Sequence, residues 1–280
     1  EITLSSQLKT LGEYAFKSSA IKTLDLPTGV TSIANGTFQS SGLESIIIKD
    51  VVTTIGTDAF KGCTKLDDLR IDDCTKVLTL GANTNAGLFK DCALTNTYIG
   101  RPLSFDDTAA SGYSPFYGNT KMQNVTLDGS SSVLPAKMFM GCTNLDVVTL
   151  SDKILTIGES AFQGSGVRSV NIPSKISTIP NSCFKNATRL ESITIPETVK
   201  TLDVYAFAGS GLKNVVIPSS IKTISDHLFA DCPKIETITL PESITLIDTY
   251  AFAGSALPQL TVPNSVASIG NGAFDNCSNF

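Results

Sequence analysis

The sequence predicts a repeat solenoid built from short strands, and three observations carry that prediction. The chain of 280 residues holds 14 Phe, only six Tyr, one His, three Met and no Trp. One aromatic used so often points to one role used many times. Phe then recurs at positions 16, 38, 60, 89, 116, 139, 162, 184, 207, 229, 252 and 274, at spacings of 22 or 23 apart from 29 and 27 in the middle. The words around it also repeat: Leu190-Glu191-Ser192-Ile193-Thr194-Ile195-Pro196 matches Ile235-Glu236-Thr237-Ile238-Thr239-Leu240-Pro241. A unit of this length cannot bury its own apolar face, whereas stacked units can, so the array must coil.

Each part of the unit has a local reason. The Ile-x-Ile word alternates inward and outward, which predicts a strand of about three to five residues. Proline follows it in six units, at 27, 173, 196, 218, 241 and 263, and lacks the N–H that would continue a ladder. A second apolar pair, such as Val199 and Leu202, predicts another short strand or bridge. The Ala-Phe segment predicts a helical or 3₁₀ turn that drives the ring inward. The alternation of 22 and 23 comes from two connectors. One is Phe-x-x-Cys-Thr-x-Leu, as in Phe139 to Leu145; the other is one residue shorter, with Gly easing the tighter bend, as in Phe162 to Val167. At ~5 Å per coil, about twelve coils make an elongated array.

The full word is Leu-x-x-Ile-x-Ile-Pro, then Val-x-x-Ile-Gly-x-x-Ala-Phe-x-x-Cys, over nearly the whole chain. It resembles the BspA-like (Treponema-type) class of leucine-rich repeats, although the inward Asn of the better-known leucine-rich repeat is missing. The resemblance implies one leucine-rich repeat domain over residues 1–280. Its expected form is a right-handed, β-rich horseshoe of the α/β type, with a parallel sheet on the concave face. It also implies an extracellular or cell-surface, adhesin-like role that binds host or extracellular-matrix proteins. The word itself is scaffold, so it speaks for the fold more than for the ligand.

The two long spacings mark residues 72–121 as irregular. Insertions in solenoids project as loops that often bind. Arg101, Phe105 and Tyr113 fall here, and aromatics beside Arg are the residue types of contact hot spots, which makes these three candidate protein-binding residues. The competing reading packs the same aromatics onto their own turn. If Ile193 and Ile195 point inward, their neighbours point out, and the register gives an exposed stripe. It runs through Ile47, Arg70, Thr126, Thr149, Asn171, Thr194 and Thr239. The Thr and Asn members complete the candidate binding set, as a shallow surface for a protein or extended peptide. Such side chains also suit a solvated strand face. A glycan site normally shows exposed aromatics, and this register places none on the face.

Five of the seven Cys share one slot three residues after Phe: Cys63, Cys92, Cys142, Cys232 and Cys277. Ser or Ala fills that slot elsewhere, so it asks for a small buried group. Cys63 and Cys92 sit on consecutive coils, a separation that permits a disulfide without requiring one. The single His227 follows Ser225 and Asp226, yet catalytic triads are assembled from separated positions, and His227 reads as a surface turn residue. The spacings match no zinc pattern, and Asp67, Asp68, Asp72, Asp73, Asp106 and Asp107 match no calcium loop. No cofactor, metal or catalytic residue is therefore expected.

Composition narrows the partners. A net charge of −5 and a pI near 4.9 argue against nucleic acid, and no segment approaches the ~20 apolar residues of a spanning helix. The chain starts inside a strand word and stops where another unit would begin, which reads as part of a longer array. The favoured function is a non-enzymatic binding scaffold at the cell surface or secreted. The alternative is a structural spacer whose neighbouring domains carry the function.

Overall fold

Copies of one strand word, each a single coil apart, pair in parallel and in register. The structure is a computed structural model that describes residues 2–106 and 114–280. It is a parallel-strand β-solenoid, and no helix forms among the described residues. The chain divides into two units, Glu1–Ser132 with Met138–Lys153, and Val133–Lys137 with Ile154–Phe280.

In the first unit the Ile-x-Ile words form the strands Ser45–Ile48, Asp68–Ile71, Asn96–Ile99, Asn124–Leu127 and Val147–Leu150. Each pairs with the next without slippage, so Ile47, Arg70, Tyr98, Thr126 and Thr149 stand in one row. The inward residues Ile46, Ile48, Leu69 and Ile71 are buried. The second apolar pair forms its own ladder of Ser32–Ile33, Thr54–Ile55, Leu78–Leu80 and Leu103–Ser104. The second unit repeats both patterns, for example Asn214–Val216 with Thr237–Thr239, and Thr223–Ile224 with Leu246–Ile247.

Strand length follows proline. In the first unit the residue after four of the five four-residue strands donates its N–H to the coil before: Asp72 to Ile48 at 3.0 Å, Gly100 to Ile71 at 2.9 Å, Asp128 to Ile99 at 3.0 Å and Ser151 to Leu127 at 2.8 Å. In the second unit Pro218 and Pro241 follow close behind Asn214–Val216 and Thr237–Thr239, and both strands stop at three residues. A proline there has no N–H to extend the ladder. Its carbonyl instead opens a turn, accepting from Ile221 and Ile244 at 3.1 Å each.

On the opposite side of each coil the Phe rings stack. Phe16, Phe38, Phe60, Phe89, Phe116 and Phe139 lie 5.1 to 5.9 Å apart in the first unit. Phe162, Phe184, Phe207, Phe229, Phe252 and Phe274 lie 5.1 to 5.8 Å apart in the second, their planes nearly parallel. Each stacked pair adds about 0.5–1.5 kcal/mol beyond the area it buries.

The backbone beneath the rings differs from the helical turn expected there. In most coils the residues two before and two after Phe are left-handed, as at Tyr205 (φ 57°) and Gly209 (φ 66°) around Phe207. Those three residues donate N–H to the following coil: Tyr205 to Asp226 at 3.2 Å, Phe207 to Leu228 at 3.2 Å and Gly209 to Ala230 at 2.8 Å. The residues between them close short turns instead, Ala206 to Asp203 at 3.2 Å and Ala208 to Tyr205 at 3.1 Å. A left-handed residue at such intervals reverses the local hand, so no helix can propagate. The result is a second inter-coil ladder made from turns.

Phe207→Ala therefore empties a ring-stack position that is fully buried and should lower unfolding free energy by ~3–5 kcal/mol. His227→Asn keeps a residue that tolerates the left-handed backbone and loses ring stacking and a part-exposed contact with Asp226, so it should cost less than ~1.5 kcal/mol. Urea unfolding of the two variants checks the register directly.

Candidate functional site

The outward row of the first unit's sheet places apolar, cationic, aromatic and acidic side chains side by side. Ile47 is 47% exposed. On the next strand the Arg70 guanidinium lies over the Tyr98 ring at 4.2 Å from its centroid. Arg70 Nε donates to Asp72 at 2.8 Å, and the Tyr98 hydroxyl donates to Asp73 at 2.8 Å. The Asp72 hydrogen bond raises the Arg70 pKa, while desolvation, and then Asp73, raise that of the Tyr98 phenol. Arg70 is thus a fixed cation and Tyr98 a fixed donor at neutral pH. An open depression of about 500 Å³ lies here, its lining including Asp25, Ser45, Ile47, Asp68, Arg70 and Tyr98. Its groups suit recognition: an apolar side chain, a cation held on an aromatic ring, and carboxylates at the rim.

The predicted residues fall in different places. Thr126 is half-buried and Thr149 exposed in this row, next to Tyr98. Asn171, Thr194 and Thr239 are exposed in the second unit. Phe105 is half-buried just after the strand Leu103–Ser104, and Tyr113 lies outside the described residues.

Arg101 corrects the expectation that it forms part of a contact surface. It is fully buried. Its Nη1 donates to Val52 at 2.7 Å and Asp50 at 3.2 Å, and its Nη2 to Lys49 at 3.0 Å. The insertion lets Arg101 reach across coils and satisfy three turn carbonyls, a structural task that removes it from the surface. Burial lowers its pKa.

Tyr98 corrects a second expectation, that the face carries no aromatic. The segment Asn96-Thr97-Tyr98-Ile99 is a strand word with Thr97 in the inward place of Ile, and Thr97 is buried. Counting from Phe to Phe across spacings of 29 and 27 hides this coil. The alternation x-Thr-x-Ile was the available signal. The acidic cluster is explained in part by the same row, since Asp72 and Asp73 are the countercharges of Arg70.

The Cys slot has a clear task. Cys63 donates its S–H to the Phe38 carbonyl at 2.9 Å, Cys142 to Phe116 at 3.1 Å and Cys232 to Phe207 at 3.3 Å. All seven Cys are free, Cys63 and Cys92 included. Asn119 fills this slot in the irregular coil, a role that sequence reasoning missed. Its Nδ2 donates to Phe89 at 2.7 Å and Cys92 at 3.0 Å, while its Oδ1 accepts from Lys121 and Met122. Burial drives the Cys142 thiol up to about 12 and Cys232 up to about 11, so neither is a nucleophile at neutral pH.

His227 is more integrated than a surface turn residue. Its ring stacks on Tyr205 at 4.5 Å, lies tilted against Tyr250 at 5.0 Å, and contacts the Asp226 carboxylate. Ser225 directs its hydroxyl to the Leu202 carbonyl, so Ser, Asp and His do not form a relay.

A family model described as the BspA type leucine-rich repeat region matches residues 1–114, 110–236 and 201–280, in six copies. A leucine-rich repeat protein from Bacteroides ovatus superposes with a TM-score of 0.57 at 21% identity, over 96% of this chain and 68% of that one. A leucine-rich cell surface protein from Faecalibacterium prausnitzii superposes with a TM-score of 0.51 at 23% identity, over 89% and 75%. These likenesses concern the fold. No curated protein matches the sequence.

Two stability effects follow. Arg101→Leu removes the side-chain donors that serve the Lys49, Asp50 and Val52 carbonyls and should cost ~3–5 kcal/mol in urea unfolding, with Arg101→Lys recovering part of it. The buried thiols hold their protons more tightly than the unfolded chain does. Their contribution is complete below the ordinary value of 9.0 and is lost as pH rises towards about 12. Unfolding free energy should therefore fall as pH rises above that ordinary value, and fall less steeply in Cys142→Ser.

Proposed function

The chain belongs to the BspA-type leucine-rich repeat family, and from that premise we propose a non-enzymatic, protein-binding scaffold. In this reading it is displayed at a bacterial cell surface or secreted, and it contacts host or extracellular-matrix proteins. The F. prausnitzii protein of similar fold is described as a cell surface protein, which supports the location. The observation that carries the binding role is the Ile47–Arg70–Tyr98 row. Paired tyrosine and arginine beside exposed aliphatic surface match the composition of interface hot spots.

Thr126 and Thr149 extend the row as small, hydrogen-bonding rim residues. Asn171, Thr194 and Thr239 supply a similar polar face in the second unit, and the half-buried Phe105, beside the other ladder, is a separate apolar contact candidate. Deleting the irregular loop is an unsuitable test, because residues 100–118 include the buried Arg101 and the stacked Phe116. Point substitutions on the row keep the scaffold.

The test is surface plasmon resonance against a panel of purified matrix glycoproteins. We expect saturable binding that weakens at least tenfold, about 1.4 kcal/mol, in Arg70→Glu/Tyr98→Ala. Binding that this double variant leaves unchanged moves the interface elsewhere. No binding to any member of the panel favours a spacer whose neighbouring domains carry the function.

A further inference from the structure

Within the second unit the coils are not joined equally on every side. The ladder of second apolar pairs joins Thr178–Ile179 to Thr201–Leu202, and separately joins Thr223–Ile224 to Leu246–Ile247 and Ser268–Ile269. Between Leu202 and Thr223 it is interrupted, so the two runs are different sheets. The Ile-x-Ile ladder is interrupted at the same boundary. Residues 192–195 form no strand, and Asn214–Val216 pairs only with Thr237–Thr239. Two local causes are visible. Pro218 has no N–H for the Ile195 carbonyl, a bond that Ser151 makes to Leu127 in the first unit. Asp203 donates its N–H to Ile179 at 2.9 Å and Asp248 to Ile224 at 2.8 Å, whereas Ser225, in the same slot between them, reaches Leu202 with its hydroxyl. Ile193, the inward residue of the unpaired word, is half-buried, while Val215 and Ile238 are buried.

The Phe side stays closed across this boundary. The amides of Tyr205, Phe207 and Gly209 cross it, and Cys232 donates to the Phe207 carbonyl at 3.3 Å. Phe207 and Phe229 stack at 5.7 Å, and Tyr205 and His227 at 4.5 Å. On the sheet side the Lys213 N–H donates to Glu191 at 3.0 Å, and the other crossings there include side-chain bonds. Lys213 Nζ donates to Glu191 at 2.7 Å, the Ser219 hydroxyl donates to Glu197 at 2.9 Å, and the Ser220 and Ser225 hydroxyls reach the Val199 and Leu202 carbonyls. We infer that this boundary is a hinge within the second unit. The coils of Phe207 and Phe229 swing apart and together on the sheet side, about the Phe-side turns. A hinge needs one compliant joint between bodies that stay intact. Side-chain bonds supply the compliance, and the second ladder holds each body together on its own side of the joint. Asn171 and Thr194 stand before the joint and Thr239 after it. A partner that grips both sets therefore fixes the angle.

The hinge does not draw on the Ile47–Arg70–Tyr98 row, so it can fail without the binding role and the reverse. The test measures distances between nitroxide pairs by pulsed electron resonance in the whole chain, with the half-exposed thiols removed as Cys74→Ser and Cys277→Ser. One pair, on Thr201→Cys and Ser268→Cys, spans three coil steps with the joint inside them. The reference pair, on Ser32→Cys and Ser104→Cys, spans three steps of an unbroken ladder. The first distance distribution should be about twice as broad as the second. Pro218→Asp/Ser225→Asp restores the missing N–H and frees the Leu202 carbonyl for a backbone donor, and should narrow the first distribution towards the reference. Native-state amide exchange gives a second readout that needs no substitution. Ile193 and Ile195 should exchange by local opening at least a hundredfold faster than Phe207. The hinge is overturned if the two distributions are equally broad, if the folded double variant stays as broad as its parent, or if Ile193 and Ile195 exchange as slowly as Phe207.

Discussion

Every coil has to hydrogen-bond its neighbour along two sides at one common rise, and the rest of the structure depends on that constraint. Parallel strands meet it on one side in the ordinary way. On the other side, left-handed residues flanking each Phe turn alternate N–H groups towards the next coil. The Phe ring is carried by this ladder, so ring stacking and backbone pairing share one register. Buried backbone groups left unpaired would cost more than the rings contribute, which is why the unit length is held to 22 or 23 residues. The Cys slot serves the same end, since its S–H meets the preceding Phe carbonyl.

The irregular coils show what happens when the length is broken. Buried polar side chains there bridge turn carbonyls of neighbouring coils: Arg101 serves Lys49, Asp50 and Val52, and Asn119 serves Phe89 and Cys92. Gly129 belongs to the same repair. Its φ is +79°, and a Cβ there would sit 1.8 Å from the Gly100 carbonyl oxygen, so no larger residue fits. The scaffold thus occupies the inward and turn positions, leaving outward strand residues free to vary. Recognition chemistry can be written there without disturbing the coil, as in the Arg70–Tyr98 pair.

The fold was legible because the same physical demand is repeated. Phe spacing, the Ile-x-Ile alternation and the proline after it each report one layer of the coil. The left-handed turns were less legible, since the left-handed residue two before Phe is Tyr, His, Ser, Lys or Asp in most coils and Gly only at Gly36 and Gly272. Stacking of each residue on the coil beyond holds the strained backbone, and that support is non-local. The candidate Arg101 was misread, and Tyr98 was left off the face, for one reason. The inserted residues shift the apparent register, so a buried arginine looks exposed and a strand tyrosine looks like loop. The stripe through Thr126 and Thr149 was readable because those coils keep the ordinary spacing.

The central claim is that the Phe-side turns form an inter-coil ladder as firm as the sheet. Native-state amide hydrogen exchange measures this residue by residue. The N–H groups of Tyr205, Phe207 and Gly209 should exchange only through global unfolding, as slowly as those within Val147–Leu150. Exchange of these three at the rate of exposed loop amides, while the strands stay protected, would contradict the account.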